Sequence, residues 1–190
     1  MKTDIVFAAG KEEKFAELGR GLGFERLIFV YENLNDIKKI ESSLKIDYAI
    51  LIKEKNKKNL VRKINRIKQK GFLVLVEAVD DDFDRFVLEK TQAEMIFGLE
   101  RVHKKDAMHY RRSGLDQVLC KILSEKKKTV VFSLKDAFEP LVLGRMIQNL
   151  KFCKKYKVKF IFGSLAQEPE EMKAAHDLSL FLIRLQQKFL

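Results

Sequence analysis

The 190-residue chain has no tryptophan, two cysteines, two prolines, nine glycines and three histidines, and each scarcity excludes something. Cys120 and Cys153 are too few for a disulfide framework or a four-thiolate zinc site, and neither stands in a C-x-x-C pair or beside a histidine. Both fall on apolar faces of expected helices, which reads as reduced core residues of a cytosolic protein. With so few prolines and no Ser-rich or Gly-rich tract there is no linker, and no sequence period recurs, so residues 1–190 read as one domain. Three histidines are a thin supply of imidazole for a multinuclear metal centre. The longest apolar runs, such as FLVLVEAV from Phe72, fall far short of the roughly 20 residues a membrane-crossing helix needs. A soluble, cytoplasmic protein without a membrane partner is expected.

What is abundant is positive charge: 38 Lys and Arg stand against 27 Asp and Glu, a formal net charge of +11. It comes in blocks. Residues 53–70, KEKNKKNLVRKINRIKQK, carry nine basic side chains against one Glu, and residues 151–159, KFCKKYKVK, carry five against none. Such runs meet polyanions readily, because each phosphate they neutralise releases condensed counterions. A lysine-rich solvated face would give the same composition.

Short apolar runs alternate with helical periodicity from end to end, the pattern of βα units around a parallel sheet. Strands are expected at 4–8, 26–31, 48–53, 72–78, 94–99, 129–134 and 159–165, each nearly continuous in Val, Ile, Leu and Phe, so both sheet faces should be covered by protein. Helices are expected at 11–21, 35–44, 56–70, 82–89, 114–126, 140–156 and 176–189. On the helix from Asn56, Leu60, Val61, Ile64 and Ile67 form one face while Lys58, Arg62, Lys63, Arg66 and Lys70 point elsewhere. A doubly wound nucleotide-binding sheet would carry a glycine fingerprint after its first strand, and FAAGKEEKF has only Gly10. The fold class expected is α/β, a (β/α) TIM-barrel-like domain of about seven parallel strands, shortened or distorted against the usual eight.

The stretch RRSGLDQVLCKI, residues 111–122, places two arginines just before an amphipathic helix. Ser113 reads as its N-cap, with Asp116 three residues on as a weaker capping box. The helix dipole and its free amides favour an anion, and Arg111 and Arg112 would add two guanidinium groups, so phosphate is the expected guest.

Several pieces in order then carry a resemblance: R-S-G-L at 112–115, F-S-L-K at 132–135, R-M-I-Q-N at 145–149, K-Y-K-V at 155–158 and H-D-L at 176–178. Over residues 111–182 the chain resembles the archaeal ribonuclease P protein component 3 family, counterpart of the eukaryotic thirty-kilodalton subunit. The resemblance implies a TIM-barrel-like protein that binds ribonuclease P RNA, works with protein component 2, and supports removal of 5′ leaders from precursor tRNA. The RNA then performs the cleavage with magnesium, so this chain would be a subunit of an endoribonuclease with no catalytic residue and no cofactor of its own. The phosphate contacts it suggests are Arg111, Arg112, Lys135, Arg145, Lys154, Lys155 and Lys173, with His103, Lys104, Lys105 and His176 beside them. Lys173-Ala174-Ala175 stands where family members often have an arginine and a proline, Lys135 stands where arginine is common, and the chain stops soon after LIRLQQKFL, so closure of the barrel at that seam is an open point.

Two enzymatic alternatives stand beside this reading. The family's barrel is similar to metal-dependent phosphoesterases of the polymerase and histidinol phosphatase type, which hold metals with an H-x-H pair after the first strand; this chain has Phe7, Ala8 and Ala9 there. Asp80, Asp81, Asp82 and Asp84 could supply a carboxylate magnesium site at a barrel mouth, although Asp is also the ordinary helix cap. The other alternative is a small-ligand barrel enzyme using Arg111 and Arg112 on a substrate phosphate.

Overall fold

In a computed structural model, which describes residues 2–187, seven parallel strands pair in sequence order within one sheet. They are β1 (Thr3–Phe7), β2 (Arg26–Tyr31), β3 (Lys45–Ile52), β4 (Leu73–Glu77), β5 (Met95–Phe97), β6 (Thr129–Ser133) and β7 (Lys159–Gly163). Six helices cover the outside: α1 (Glu12–Gly21), α2 (Lys57–Gln69), α3 (Asp81–Lys90), α4 (Gln117–Glu125), α5 (Pro140–Tyr156) and α6 (Ala175–Gln187).

The continuous apolar runs follow from two cores on opposite sheet faces. In β2, Ile28 and Val30 join Ile5, Leu51, Leu75 and Val131 in the barrel interior, whereas Leu27, Phe29 and Tyr31 pack outward under the helices. Alternate side chains thus enter different cores and both parities must be apolar.

The barrel closes with seven strands. Phe7 N donates to the Ala166 carbonyl at 2.8 Å and Leu165 N to the Ile5 carbonyl at 3.0 Å, joining β1 to the end of β7. Asp4, with no solvent exposure, staples this seam: Oδ1 accepts from Ile5 N at 2.8 Å and Ser164 N at 2.7 Å, and Oδ2 accepts from Ser164 Oγ at 2.8 Å. A Cβ on Gly163 would stand 2.9 Å from Asp4 Oδ1, so this approach requires glycine. Burial pushes the Asp4 carboxyl up to about 6, against the pull of its three hydrogen bonds.

The expected helix at 35–44 does not form. Leu34–Asp36 makes one 3-10 turn, an irregular segment follows, and β3 begins at Lys45. Leu44 is buried and Ile37 and Ile40 pack against the core, so the apolar spacing that suggested a helix is used, but side chains satisfy the backbone instead. Ile40 N donates to Tyr48 Oη at 2.9 Å and Leu44 N to Ser42 Oγ at 3.1 Å, a competition that serine and tyrosine hydroxyls readily win in short segments. The helix expected to reach residue 189 runs as α6, with 188 and 189 outside the described residues. Cys120 and Cys153 are free and buried, and burial pushes both thiols up to about 12. No helix among the described residues is long and apolar enough to cross a membrane.

Candidate nucleic-acid interface

Between β5 and α4 the chain makes one short 3-10 turn, Leu99–Arg101, and then runs without regular structure to Asp116. Helix α5 holds this loop from beneath. Positions i, i+3 and i+4 share one helical face, which puts Arg145, Gln148 and Asn149 against the loop. Arg145 is 1 % exposed; its Nε pairs with Asp106 Oδ1 at 2.7 Å, and its Nη1 donates to the Glu100 carbonyl at 3.1 Å and to the His103 carbonyl. Gln148 Nε2 donates to Ser113 Oγ at 3.1 Å and Asn149 Nδ2 to the Ser113 carbonyl at 2.8 Å. Gly114 turns the chain at φ +77°, and a Cβ there would lie 2.2 Å from the Leu99 carbonyl oxygen. The R-S-G-L and R-M-I-Q-N pieces are therefore two halves of one lock.

Asp106 accepts from both Arg145 Nε and Arg112 N, and although its partial burial acts in the opposite sense, these contacts hold its carboxyl below the ordinary range. Glu100 lies fully buried under the loop with neither carboxyl oxygen hydrogen-bonded, and burial raises it to about 7.

Two expectations are corrected by this lock. Arg145, expected to touch phosphate, is an internal anchor inaccessible to solvent. Ser113 is buried and is not an N-cap; Asp116 caps α4 by accepting from Leu119 N at 2.7 Å. The positive end of α4 is thus already answered by the chain's own carboxylate rather than left for a phosphate.

Other cations of the loop remain outside. Arg111 is exposed and uses one guanidinium nitrogen on the Gly144 carbonyl at 3.1 Å. Arg112, with 44 % of its side chain exposed, comes no nearer than 3.9 Å to Asp81. Lys104 and Lys105 are exposed and form no ion pair among the described residues, while His103 Nε2 lies 2.9 Å from Asp81 Oδ1.

Arg111, Arg112, His103 and Lys155 line one groove of about 630 Å³ between α3, α4 and α5. Tyr110, Phe152 and Tyr156 join them, with Lys155 Nζ 5.4 Å from the centre of the Tyr156 ring. Tyr110 is exposed and Phe152 and Tyr156 are half-buried, and Asp81, Asp82 and Asp116 also line the groove; cations beside accessible rings can hold a backbone and stack bases together. These aromatics were missed as site residues, although KFCKKYK interleaves them with lysine and Tyr110 adjoins the arginine pair. Lys154 is exposed on α5 but does not line the groove. Lys135, Lys173 and His176 are exposed outside it; Lys135 follows β6 and acts electrostatically on Glu171.

The four aspartates do not converge. Asp80 caps α3 by accepting from Phe83 N at 2.8 Å, Asp81 meets His103, and Asp82 is exposed. Asp84 is buried and accepts from Val79 N at 2.9 Å; burial first, then the neighbouring Asp80 and Asp81, raise it to about 7. Among the described residues no group of three or more His, Cys, Asp or Glu side chains is placed to hold a metal ion. At the strand ends, a cavity of about 420 Å³ is lined by Lys53, Glu77, Phe97 and Arg101. Of its cations, Lys53 is paired with Glu32 and Arg101 with Asp136, Lys55 also lines it, and Arg111 and Arg112 do not. The carboxylate metal site and the small-phosphate pocket at the barrel mouth both lack their geometry.

No family model matches the chain. It is 26 % identical over 164 residues to the ribonuclease P protein component 3 of Methanocaldococcus jannaschii, covering 81 % of this chain and 67 % of that protein. To the Methanococcus maripaludis protein of the same name it is 24 % identical over 144 residues, covering 73 % and 59 %. The chain thus spans about three fifths to two thirds of the length of these curated relatives. Among solved structures, a chain of an archaeal ribonuclease P determined with mature tRNA superposes with a TM-score of 0.77 at 21 % identity, over 97 % of this chain and 82 % of that one. A histidinol phosphate phosphatase of Lactococcus lactis, complexed with zinc, L-histidinol and phosphate, superposes with a TM-score of 0.61 at 11 % identity, covering 97 % and 93 %. At these identities the two superpositions speak to the fold.

Proposed function

We infer that this chain, a relative of ribonuclease P protein component 3, is a protein subunit of ribonuclease P that binds the enzyme's RNA and supports removal of 5′ leaders from precursor tRNA. The observation that carries the reading is the lock on the 98–116 loop. A guanidinium taken out of water is costly unless it is paired, and Arg145 spends its Nε and Nη1 on the carboxylate and carbonyls of one surface loop, while its buried Nη2 has no partner. The effect is to fix Arg111, Arg112, Lys104 and Lys105 outward before any ligand arrives, so that less ordering entropy is lost on binding. In this reading the chain is a single cytoplasmic RNA-binding domain that brings no cofactor; magnesium serves the RNA, and protein component 2 is its partner subunit.

Salt dependence of binding tests the site. For a ribonuclease P RNA transcript titrated with the purified chain, replacing Arg111 and Arg112 together by Ala lowers the slope of log K against log salt by about 1.4 to 1.8, the loss of two phosphate contacts. A double variant with the wild-type slope removes this loop from the interface.

A further inference from the structure

The densest run of cations, residues 53–70, lies away from the groove. Three of its nine are answered internally: Lys53 by Glu32 at 2.6 Å, Lys63 by Glu54 at 2.9 Å, and Lys68 by Glu94. Lys58, Arg62, Arg66 and Lys70 are different. They recur every four residues along α2 and its C-cap, all four are exposed, and none forms an ion pair among the described residues. Four residues advance a helix by about 6 Å, so they make one stripe of regularly spaced charges. Leu60, Ile64 and Ile67 occupy the buried face, fixing the stripe outward.

Local chemistry opposes this arrangement. Like charges four apart on a helix repel; α2 has no acidic residue in its first turn, where Lys57 and Lys58 oppose the dipole. Some other surface cations do find acids, as in Lys38–Glu13 and Arg85–Glu89. The exposed face of α2 is otherwise Lys57, Asn59, Lys63, Asn65 and Gln69, with no aromatic or aliphatic side chain. A membrane-surface helix presents apolar side chains for insertion, and a protein interface is built around apolar or aromatic anchors. Neither is present, whereas cations flanked by amide donors suit phosphate oxygens.

We propose that this stripe is a second RNA-binding surface, which grips the phosphate backbone of a structured RNA segment without reading its bases. It rests on the RNA-binding reading above but occupies another face of the barrel. Helix α3 stands between α2 and α4 in the order of the sheet, and Lys57 Nζ lies 5.3 Å from the centre of the Phe86 ring, joining α2 to α3. The chain thereby bridges two RNA segments, one in the arginine groove and one along α2.

The test is the full chain with Lys58→Gln, Arg62→Gln, Arg66→Gln and Lys70→Gln, titrated with a ribonuclease P RNA transcript over a range of salt. The expected result is a slope smaller by about 2.8 to 3.6 for four lost phosphate contacts, additive with the Arg111/Arg112 loss, and a melting temperature equal to or above wild type because the repelling row is gone. Lys58 and Lys70 of the wild-type chain should also become protected from acetylation when the RNA is added. An unchanged slope, or no protection, overturns the ridge while leaving the groove reading intact. So does loss of binding to phosphatidylserine vesicles or polyglutamate with RNA binding preserved. A wild-type chain that binds no RNA overturns both readings together.

Discussion

Gly114 and Asp4 are small in themselves and hold the two places where distant parts of the chain meet. At Gly114 a left-handed backbone and the 2.2 Å approach to the Leu99 carbonyl leave no space for a methyl group. Gly114→Ala should cost at least about 2 kcal/mol in thermal or denaturant unfolding, and should weaken RNA binding by displacing the arginines beside it. At Asp4 the folded carboxyl titrates near 6 and the unfolded one near 3.8, so as pH rises the unfolded state loses its proton first. The stability this group gives is therefore fully present below about 4, declines between about 4 and 6, and is constant above. Asp4→Asn keeps an acceptor for the Ile5 and Ser164 amides and removes the titration; the stability difference between the two proteins, measured from pH 3 to 8, should change only within that window. Exposure of the arginine pair was legible from its polar, glycine-marked surroundings. The burial of Arg145 was legible too and was passed over, because Val142, Arg145, Met146, Asn149, Leu150 and Cys153 recur at helical spacing and all are buried. What no sequence position announces is that the partners of Arg145 are carbonyls some forty residues back in the chain.

Among the elements, α4 offers the clearest measurement. Since Asp116 caps it and Ser113 does not, Asp116→Ala should destabilise the protein by about 1 kcal/mol. Ser113→Ala instead removes the Gln148 contact and leaves the helix start intact, which amide exchange at Leu119 would show. The strands were readable because two apolar parities leave continuous runs, and most expected bounds lie within about two residues of those observed. β3 starts three residues early, since Lys45 already pairs with Arg26 on β2. The last strand ends at Gly163, short of residue 165, because 164–166 turn to bond β1. The segment 35–44 was misread since apolar spacing cannot tell a helix from an irregular path whose amides are satisfied by Tyr48 and Ser42.

For the whole molecule, the parallel, two-sided sheet could be read from composition along the strands, but closure could not. It depends on Asp4 meeting Ser164 and on the space at Gly163, contacts 160 residues apart that no local pattern encodes. The cationic surface was legible as charge blocks; its division into an aromatic-lined groove on α3 to α5 and a bare stripe on α2 required the fold. Replacing Arg145 by Lys, which cannot reproduce the planar fork, should loosen the loop and reduce RNA affinity without altering the α2 stripe's share of the salt slope.

The most direct measurement is reconstituted cleavage of precursor tRNA by ribonuclease P RNA with protein component 2 at limiting magnesium, with and without this chain. Addition of the chain should raise the rate of 5′-leader removal, the Arg111→Ala, Arg112→Ala protein should give less, and the chain without RNA should cleave nothing. Equal rates with and without it, or cleavage by the protein alone, would contradict a non-catalytic subunit that works by holding RNA.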